Sequence, residues 1–392
     1  MSEIVRLIHE DAKDQDDLSL PGWVYHDEEY FRVEMARLIR PSWQIVCHAS
    51  DLAEPGQWRT LELLGESVLV IRGGDGAVRA FANVCRHRGS RLVDGDEGCS
   101  RRLTCPYHAW SYGDDGRLIG VPRRADYPGL DFGRHALFPI ELETWRGFVF
   151  VRLEGGGPSV AEMMAPFESE IAPYRFEALE ALGRITHRPR AVNWKNVADN
   201  YSDGLHISVA HPGLTRLFGG HYRIEAGEHV DRMSGELVDR PSSNPSERAY
   251  QALLPAAGHL PEARQRSWLY FKLWPNVAFD IYPDQVDFMH FVPVGPTTTM
   301  IREISYAIPD DRREMKAARY LNWRINRRVN AEDTALIARV QKGMESVYYR
   351  PGPLGESEVC LRSFARKLRR IIPETKRESP PPPGWSAVQL RG

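Results

Sequence analysis

Two short loops that each contain one cysteine and one histidine constrain this chain more than any other feature. The first loop contains Cys85 and His87, and the second contains Cys105 and His108. Residues 88–104 separate the two ligand pairs. Each loop therefore offers one thiolate and one imidazole, and both groups bind transition metals. The pattern predicts a metal site to which both loops contribute.

A zinc site and a two-iron cluster are the alternatives for these ligands. Zinc fingers more often pair like ligands within one loop, with two cysteines in one and two histidines in the other. In a Rieske cluster, two cysteines hold one iron and two histidines hold the other. The ligand pairs, their separation, and the flanking Arg88-Gly89 and Tyr107 to Trp110 resemble the Rieske motif. The resemblance implies a [2Fe-2S] Rieske cluster on these two cysteines and two histidines.

Length and composition indicate a globular chain of two domains. The chain has 392 residues, of which 42% are hydrophobic and 27% are charged, and its formal net charge is -2. This charge offers no surface that would neutralise phosphates, so no nucleic acid is expected as a partner. The N-terminus has acidic residues where a signal peptide needs an apolar stretch, and no run approaches about 18 apolar residues. A cytoplasmic protein that does not cross a membrane is predicted.

Breaks in the sequence pattern divide the chain into four parts. Residues 43–155 alternate short β-rich runs with turns, which is typical of an all-β domain, and the Gly-rich stretch after them marks a boundary. Residues 156–375 form the predicted second domain. Residues 1–42 are expected to be helical and to pack on the second domain, and residues 376–392 are expected to form a flexible tail.

The second domain is predicted to combine one antiparallel sheet with helices. Strand-like runs rich in β-branched and aromatic residues cover 277–282, 286–293 and 298–308. Helices are predicted near 196–209 and over about 311–346. Helices packed on an antiparallel sheet make the fold class α+β.

A second group of metal-binding residues lies in this domain, where Asp203, His206 and His211 follow one another closely. Asp203 and His206 are three residues apart, so a helix over 196–209 would place them on one face. His211 precedes Pro212, which disfavours helical backbone, so this histidine is expected just past the helix end. Both imidazoles can then converge on one ion. Ordinary hydrogen-bonded histidines are the alternative.

A third ligand is expected farther along the chain, because two histidines and one carboxylate form a common site for Fe(II). Asp333 is the preferred candidate, since apolar residues lie three, four and seven positions after it on one helix face. A buried charge needs a partner, which is either a metal ion or a buried arginine. Glu332 shares its face with Arg339, a ready ion-pair partner, and is ranked below Asp333.

The order of these features resembles the large (alpha, terminal oxygenase) subunit of the Rieske non-haem iron oxygenases. The cluster ligands come first, followed by Asn193-Trp194-Lys195, by the Asp-Asn-x2-Asp-x2-His-x4-His pattern of residues 199–211, and by Glu332-Asp333. The resemblance covers nearly the whole chain. It implies an N-terminal all-β Rieske iron-sulfur domain and a C-terminal catalytic domain of the helix-grip (START/Bet v 1-like) type.

Roles for the second group of residues also come from this resemblance. It implies that His206, His211 and Asp333 hold a mononuclear non-haem Fe(II). Asp203 is implied to be a bridge that hydrogen-bonds His206 and His108 of the partner subunit. A bridge between subunits implies a ring, in this family a homotrimer.

The implied function is that of a terminal oxygenase component. It would use O2 and take electrons from a separate NAD(P)H-dependent reductase or ferredoxin. The sequence contains neither a Gly-rich dinucleotide fingerprint nor a plant-type cluster motif, so NAD(P)H is expected to act only through that partner. Asn200 is implied to form a hydrogen bond near the iron and is counted with Asp203 as catalytic.

The main prediction for the substrate is a small aromatic compound, which can carry a carboxylate, and the reaction is hydroxylation. The alternative is a monooxygenase or demethylase of N-methyl or quaternary ammonium compounds, which could stack on the aromatic residues between Trp268 and Tyr282. Some relatives that act on quaternary amines carry Glu at the position of Asp203, which favours the main prediction. A third alternative, a non-enzymatic electron-transfer domain fused to a ligand-binding module, leaves the iron-ligand candidates without a role.

Overall fold

The computed structural model describes residues 17–390, which divide into two compact units. The first unit consists of Arg40–Glu162 and Phe176–Ala181. The second unit consists of residues 17–39, Met163–Arg175 and residues 182–390. The helical structure expected at the start of the chain lies outside the described residues as far as residue 16.

The first unit is built on two antiparallel sheets. In spatial order, the larger sheet consists of Gln44–His48, Phe148–Arg152, Pro139–Trp145, Val78–Ala82, Glu66–Arg72, Gln57–Leu63 and Glu97–Cys99. The smaller sheet consists of Arg102–Thr104, Ser111–Gly113 and Leu118–Gly120. The chain leaves the last strand through the short helix Val160–Met164.

A tight hairpin shows how the sequence sets the larger sheet. Leu64 and Gly65 join Gln57–Leu63 to Glu66–Arg72, and their φ angles are 57° and 79°. Two residues with left-handed backbone form the turn whose twist matches that of antiparallel strands. The strand after the turn is buried from Ser67 to Ile71, so the hairpin forms part of the core.

Both cysteines of the metal-binding loops lie in the core of the first unit. Cys85 and Cys105 are buried in one cluster with aromatic and aliphatic side chains, among them Trp58, Trp110 and Tyr112. The thiols are therefore shielded from water. The two histidines of the same loops, His87 and His108, are only half-buried, so the loops have one side in the core and the other near the surface.

The second unit contains an extended antiparallel sheet. In spatial order, its strands are Tyr222–Glu225, Val230–Glu236, Ser267–Leu273, Val277–Ile281, Val286–Gly295, Thr298–Ala307 and Thr186–Arg190. The three strands predicted from 277 to 308 are present as neighbours in this sheet.

Among residues 17–390, the second unit also contains nine α-helices. In chain order they are Glu28–Glu34, Glu168–Ile171, Trp194–Ser202, Ile207–Ala210, Pro212–Phe218, Pro245–Leu253, Arg313–Met344, Val359–Ile371 and Trp385–Gln389. Side chains of the long helix Arg313–Met344 share a hydrophobic cluster with sheet residues such as Trp268 and Tyr270. The predicted α+β class, with helices on an antiparallel sheet, is confirmed. No helix in residues 17–390 is both long enough and apolar enough to cross a membrane.

The predicted helix over 196–209 is wrong in its continuity. The helix Trp194–Ser202 ends at Asp203, and a new helix begins at Ile207. Asp203 has extended backbone, and its Oδ1 accepts a hydrogen bond from the Leu205 backbone N–H at 2.8 Å. Aspartate competes in this way with helical hydrogen bonding, which explains the break.

The segments at the two ends of the chain are tied to the second unit. The buried Glu34 carboxylate accepts hydrogen bonds from Lys195 Nζ at 2.8 Å and from Trp194 Nε1 at 2.9 Å. The predicted tail contains the helix Trp385–Gln389. Gly384, the residue before this helix, donates its backbone N–H to the Glu29 carboxylate at 2.7 Å. The proline run that suggested a flexible tail gives no sign of this helix.

Candidate active site

The two cysteine-histidine loops have matching backbone geometry. The Gly89 N–H donates to the Cys85 carbonyl, and the Ala109 N–H donates to the Cys105 carbonyl, each at 3.0 Å. Gly89 and Ala109 both have left-handed backbone, with φ of 73° and 58°. Each loop therefore makes the same tight turn around its ligand pair.

The four predicted cluster ligands are brought together. The ring centroids of His87 and His108 are 4.7 Å apart, and the Nδ1 atoms of both rings are buried without a hydrogen-bond partner among residues 17–390. Buried polar atoms normally have a partner. Two thiols and two imidazole nitrogens fit the ligand set of a Rieske cluster, with one nitrogen from each loop.

Hydrogen bonds around the thiols tune this site. Cys85 Sγ lies 3.4 Å from the Tyr112 hydroxyl, which also accepts the Arg86 backbone N–H at 2.9 Å. Burial raises the pKa of the Cys85 thiol. Burial also acts to raise the pKa of Cys105, but hydrogen bonds from the backbone of Tyr107 and His108 outweigh it and lower that pKa. Hydrogen bonds to cluster sulfurs are one of the controls on reduction potential.

The second predicted site is also assembled. His211 Nε2 lies 2.9 Å from Asp333 Oδ1 and 3.1 Å from His206 Nε2. The ligand atoms of His206, His211 and Asp333 all lie within 4.8 Å of one another. A buried arginine, the alternative partner of Asp333, does not lie within ion-pair distance among the described residues.

Both imidazoles present a lone pair to the same point. The Nδ1 of His206 donates to Asp203 Oδ2, and the Nδ1 of His211 donates to Glu332 Oε2, each at 2.9 Å. A ring that donates through Nδ1 keeps its Nε2 free to accept a cation. Two carboxylates and two such rings therefore favour a divalent metal at this point.

The carboxylates stabilise positive charge at this point, whether a proton on an imidazole or a metal ion supplies it. Burial alone would lower the pKa of His206, but Asp203 and Asp333 outweigh it and raise that pKa to about 9. Burial would raise the pKa of Asp333, yet its hydrogen bonds with the two histidines lower it to about 2. The carboxylate is therefore ionised at neutral pH.

Asn200 lies where the ligand atoms converge. Its Nδ2 is 3.0 Å from Asp333 Oδ1 and 3.1 Å from His206 Nε2. Asn200 comes from the last turn of the helix Trp194–Ser202, which begins with Asn193 as a capping residue. The resemblance had implied a hydrogen bond near the iron for this residue, and its amide lies beside the predicted ligand atoms of His206 and Asp333.

Glu332 is the site residue whose position the sequence did not show. Its expected partner was Arg339, but the carboxylate accepts from Arg328 Nε at 3.1 Å and from His211. Helical periodicity identifies the faces of a helix but cannot show which loop packs against each face. An arginine four residues before Glu332 was the only local signal.

The ligand atoms open into a cavity of about 110 Å³. This volume suits a small substrate. Strand residues that line it include Tyr270, Asp280, Met289, Phe291 and Glu303. Of the aromatic residues between Trp268 and Tyr282, Tyr270 lines the cavity, and Trp268, Phe271, Phe279 and Tyr282 lie in the core.

One wall of the cavity is both acidic and aromatic. Tyr201 and Tyr282 donate hydrogen bonds to the two oxygens of Asp280, at 2.5 Å and 3.2 Å. Tyr201, Tyr222 and Tyr270 line the same cavity. Burial raises the pKa of Asp280 to about 6. This wall can hold a cation when Asp280 is ionised.

Family models match both units of the chain. The model of the ring hydroxylating alpha subunit (catalytic domain) matches residues 176–374. The model of the Rieske [2Fe-2S] domain matches residues 42–139. The matched ranges contain the two predicted sites.

Individual relatives agree with this assignment. The carnitine monooxygenase oxygenase subunit of Escherichia coli K12 is 29% identical over 344 residues, which cover 86% of this chain and 87% of that protein. The glycine betaine monooxygenase oxygenase subunit of Pseudomonas aeruginosa UCBPP-PA14 is 36% identical over 200 residues, which cover 50% of this chain and 46% of that protein.

A solved structure shares the fold along most of the chain. It is a quaternary ammonium Rieske monooxygenase, described in connection with carnitine oxidation and inter-subunit electron transfer. The TM-score is 0.77 and the identity is 25%, with 91% of this chain and 96% of that chain covered. The fold, the two matched domains and the relatives agree. This chain belongs to the alpha subunits of the Rieske non-haem iron oxygenases, which carry a [2Fe-2S] Rieske cluster and a mononuclear iron.

Proposed function

We propose that Cys85, His87, Cys105 and His108 hold the Rieske cluster of this subunit. Two buried thiols and two buried, unpartnered Nδ1 atoms in the described part of the chain support this assignment. A structural zinc site would use the same atoms, but it would not account for the match to the Rieske domain. When bound, the cluster supplies single electrons at a moderate potential.

We further propose His206, His211 and Asp333 as ligands of the mononuclear iron, which activates O2 when bound. Asp203 and Glu332 then act as positioning residues, because each fixes the tautomer and the orientation of one imidazole. The Asn200 amide can donate a hydrogen bond to a group bound beside these ligands.

For the substrate, we propose a small quaternary ammonium or N-methyl compound that undergoes monooxygenation. The observation that carries this proposal is the buried Asp280 carboxylate in a cavity lined by Tyr201, Tyr222 and Tyr270. Aromatic faces attract such cations, and a nearby carboxylate compensates their charge. The carnitine and glycine betaine relatives support the same substrate class.

Hydroxylation of a small aromatic compound, the main expectation from the sequence, is the second candidate. One observation favours it. This chain has Asp203 at a position where some relatives that act on quaternary amines carry Glu. The relatives and the acidic wall of the cavity favour the alternative more strongly. Asp203 still reaches His206 Nδ1 at 2.9 Å, so the shorter side chain suffices for that contact.

Alpha subunits of this family work with a separate reductase, O2 and small substrates. We propose that the active assembly is a homotrimer, in which Asp203 links His206 to His108 of the partner subunit. Asp203 Oδ1 is bound by Leu205 and Oδ2 by His206, so a further contact would share one of these oxygens. The related structure described with inter-subunit electron transfer supports this arrangement.

Metal analysis and coupled turnover test the proposed function. Purified protein should contain about three irons per chain and show the spectrum of a reduced Rieske cluster. With a surrogate reductase and NADH, a trimethylammonium compound should stimulate O2 uptake with one product formed per O2. A benzoate-type aromatic acid serves as the comparison substrate. Coupled turnover of the aromatic acid alone would reject the proposed substrate class, and zinc without iron would reject the oxygenase assignment.

A further inference from the structure

A second cavity lies next to the proposed iron site. Its volume is about 270 Å³, compared with about 110 Å³ for the cavity onto which the ligand atoms open. Both cavities are lined by Asn200, Asp203, His206 and Ile337. Because the two spaces share these residues, a single layer of side chains separates the second cavity from the atoms that are proposed to bind iron.

Helices rather than strands supply the apolar walls of the second cavity. Two of them are Arg313–Met344 and Val359–Ile371. Their apolar lining residues are Leu336, Ile337 and Val340 on the first helix and Leu361, Phe364 and Ala365 on the second. The first three of these residues are the apolar face that follows Asp333 in the sequence. In the folded chain, this face borders a cavity beside the proposed iron site.

Polar residues of the second cavity lie mainly on one element, the helix Trp194–Ser202 and the turn that follows it. Both carboxylates among them have protein partners. Asp199 accepts a hydrogen bond from the Tyr25 hydroxyl at 3.1 Å. Asp203 accepts one from His206 Nδ1 at 2.9 Å. Because these carboxylates are already paired and the other walls are apolar, the lining favours a small apolar ligand over an ion.

Molecular oxygen is the small apolar molecule that the proposed reaction consumes. Cavities lined by leucine, isoleucine and phenylalanine stay dry and take up apolar molecules such as benzene or xenon. The cavity of about 110 Å³ has little room for a second molecule to pass once a substrate is bound in it. A separate way to the ligand atoms is then needed for O2.

We infer that the second cavity is the route by which O2 reaches the proposed iron site. Val340 lines this cavity and is 45% exposed, so it marks the opening to solvent. Ile337 lines both cavities and is 5% exposed, so it marks the inner end of the route. Entry from this side keeps O2 and the organic substrate from competing for one opening. The inference rests on the proposed iron site but not on the proposed substrate class.

Xenon binding tests the cavity without turnover. In crystals of the iron-loaded protein under pressurised xenon, we expect xenon density between Ile337 and Phe364. Ala365→Phe adds a ring that fills part of the cavity and should remove this density. Crystals that retain iron but show no xenon in this cavity would overturn the inference. Protein that binds no iron would instead reject the proposed iron site itself.

Kinetics with O2 as the varied substrate test the route. Val340→Trp narrows the opening at an exposed position, where a larger side chain leaves the core intact. We expect kcat/KM for O2 to fall about threefold to tenfold, because access becomes slower. Iron content and the KM for the organic substrate should not change. The assay is coupled O2 uptake with a surrogate reductase and whichever compound supports coupled turnover.

The matched control is Val388→Trp, which enlarges a 74% exposed valine on the helix Trp385–Gln389. It should leave kcat/KM for O2 unchanged. An equal fall in the control variant would show that the effect does not come from the cavity. An unchanged kcat/KM for O2 in both Val340→Trp and Ala365→Phe would show that O2 enters by the substrate cavity, and the inferred route would be wrong.

Discussion

Each imidazole of the proposed iron site is held by a carboxylate on the ring nitrogen that faces away from the other predicted ligand atoms. His206 is held by Asp203, and His211 by Glu332. The two carboxylates differ in sequence context, because Asp203 is three residues from its histidine while Glu332 is 121 residues away. Their common effect is to leave both Nε2 atoms as acceptors for iron.

Replacing Glu332 tests this role for His211. Glu332→Ala removes the acceptor of the Nδ1 hydrogen, so the ring loses its fixed orientation and tautomer. We expect iron affinity at the mononuclear site to fall about tenfold to hundredfold, with an unchanged Rieske spectrum. Iron retention during titration with a chelator measures the effect. Arg328→Ala is the control, because it removes only the exposed ion pair of Glu332, and an equal loss in that variant would contradict the assignment.

Binding of a cationic substrate should depend on the protonation of Asp280. Burial raises the pKa of this carboxyl from 3.8 to about 6, so it is charged above pH 6 and neutral below. A quaternary ammonium group does not titrate, so KM should rise about tenfold as the pH falls from 7 to 5. Asp280→Asn should give a high KM that changes little over this range. Binding of an uncharged tert-butyl analogue should not depend on pH over this range. If the analogue bound more weakly at pH 5 by the same factor, a titrating group other than Asp280 would be responsible.

At the scale of elements, the helix Trp194–Ser202 links the active site to the start of the described chain. Its last turn carries Asn200, and its first turn carries Trp194 and Lys195, which bind the buried Glu34 carboxylate. Burial raises the pKa of Glu34 and lowers that of Lys195, so burial opposes the charges that their contact stabilises. The helix is thus held at one end by an ion pair and at the other by the site.

Removing one partner of this ion pair should destabilise the protein strongly. Lys195→Met leaves Glu34 without a counter-charge in a fully buried position. We expect a loss of about 3–5 kcal/mol in the free energy of unfolding, measured by urea denaturation. The double variant Glu34→Gln with Lys195→Met should recover part of this loss. Lys316→Met is the exposed control, and a loss of similar size there would contradict this explanation.

At the scale of the whole molecule, the proposed trimer requires each iron site to use a cluster from another subunit. A variant with His108→Ala should lack the cluster but retain the iron site, and a variant with Asp333→Ala should retain the cluster but lose the iron. Each should be inactive alone. Losing the cluster should leave the iron site of the same subunit intact, and losing the iron should leave the cluster of the same subunit intact.

Co-expression of the two variants tests the route between subunits. Random mixing places an intact iron site beside an intact partner cluster in about a quarter of the positions. We therefore expect roughly a quarter of the native turnover in mixed oligomers, measured as coupled O2 uptake. Mixing the purified variants without subunit exchange is the control. Inactive mixed oligomers with correct iron content would show that electrons do not cross between subunits.

The sequence by itself determined which residues are predicted as the two ligand groups, because metal ligation depends on residue type and short spacing. Cys85, His87, Cys105 and His108 could be predicted as metal ligands from their two loops, and the resemblance to the Rieske motif implied the kind of cluster. Three strands of the second unit, between 277 and 308, and its long helix were also predicted from local sequence patterns, whereas the other strands of that sheet were not. For Asp333, the apolar face of a predicted helix made it the preferred candidate, with a buried arginine left open as the alternative partner.

Only the tertiary structure decided which distant groups meet. The turn at Asp203 replaced a predicted helix because a side-chain hydrogen bond competes with helical ones. Glu332 reached His211, and Tyr201 reached Asp280, through packing between elements far apart in the chain. Local periodicity carries no information about such contacts, since they depend on how helices and strands are arranged in space. The proposed substrate class depends on these contacts, whereas the proposed metal ligands were predicted from residue type and spacing.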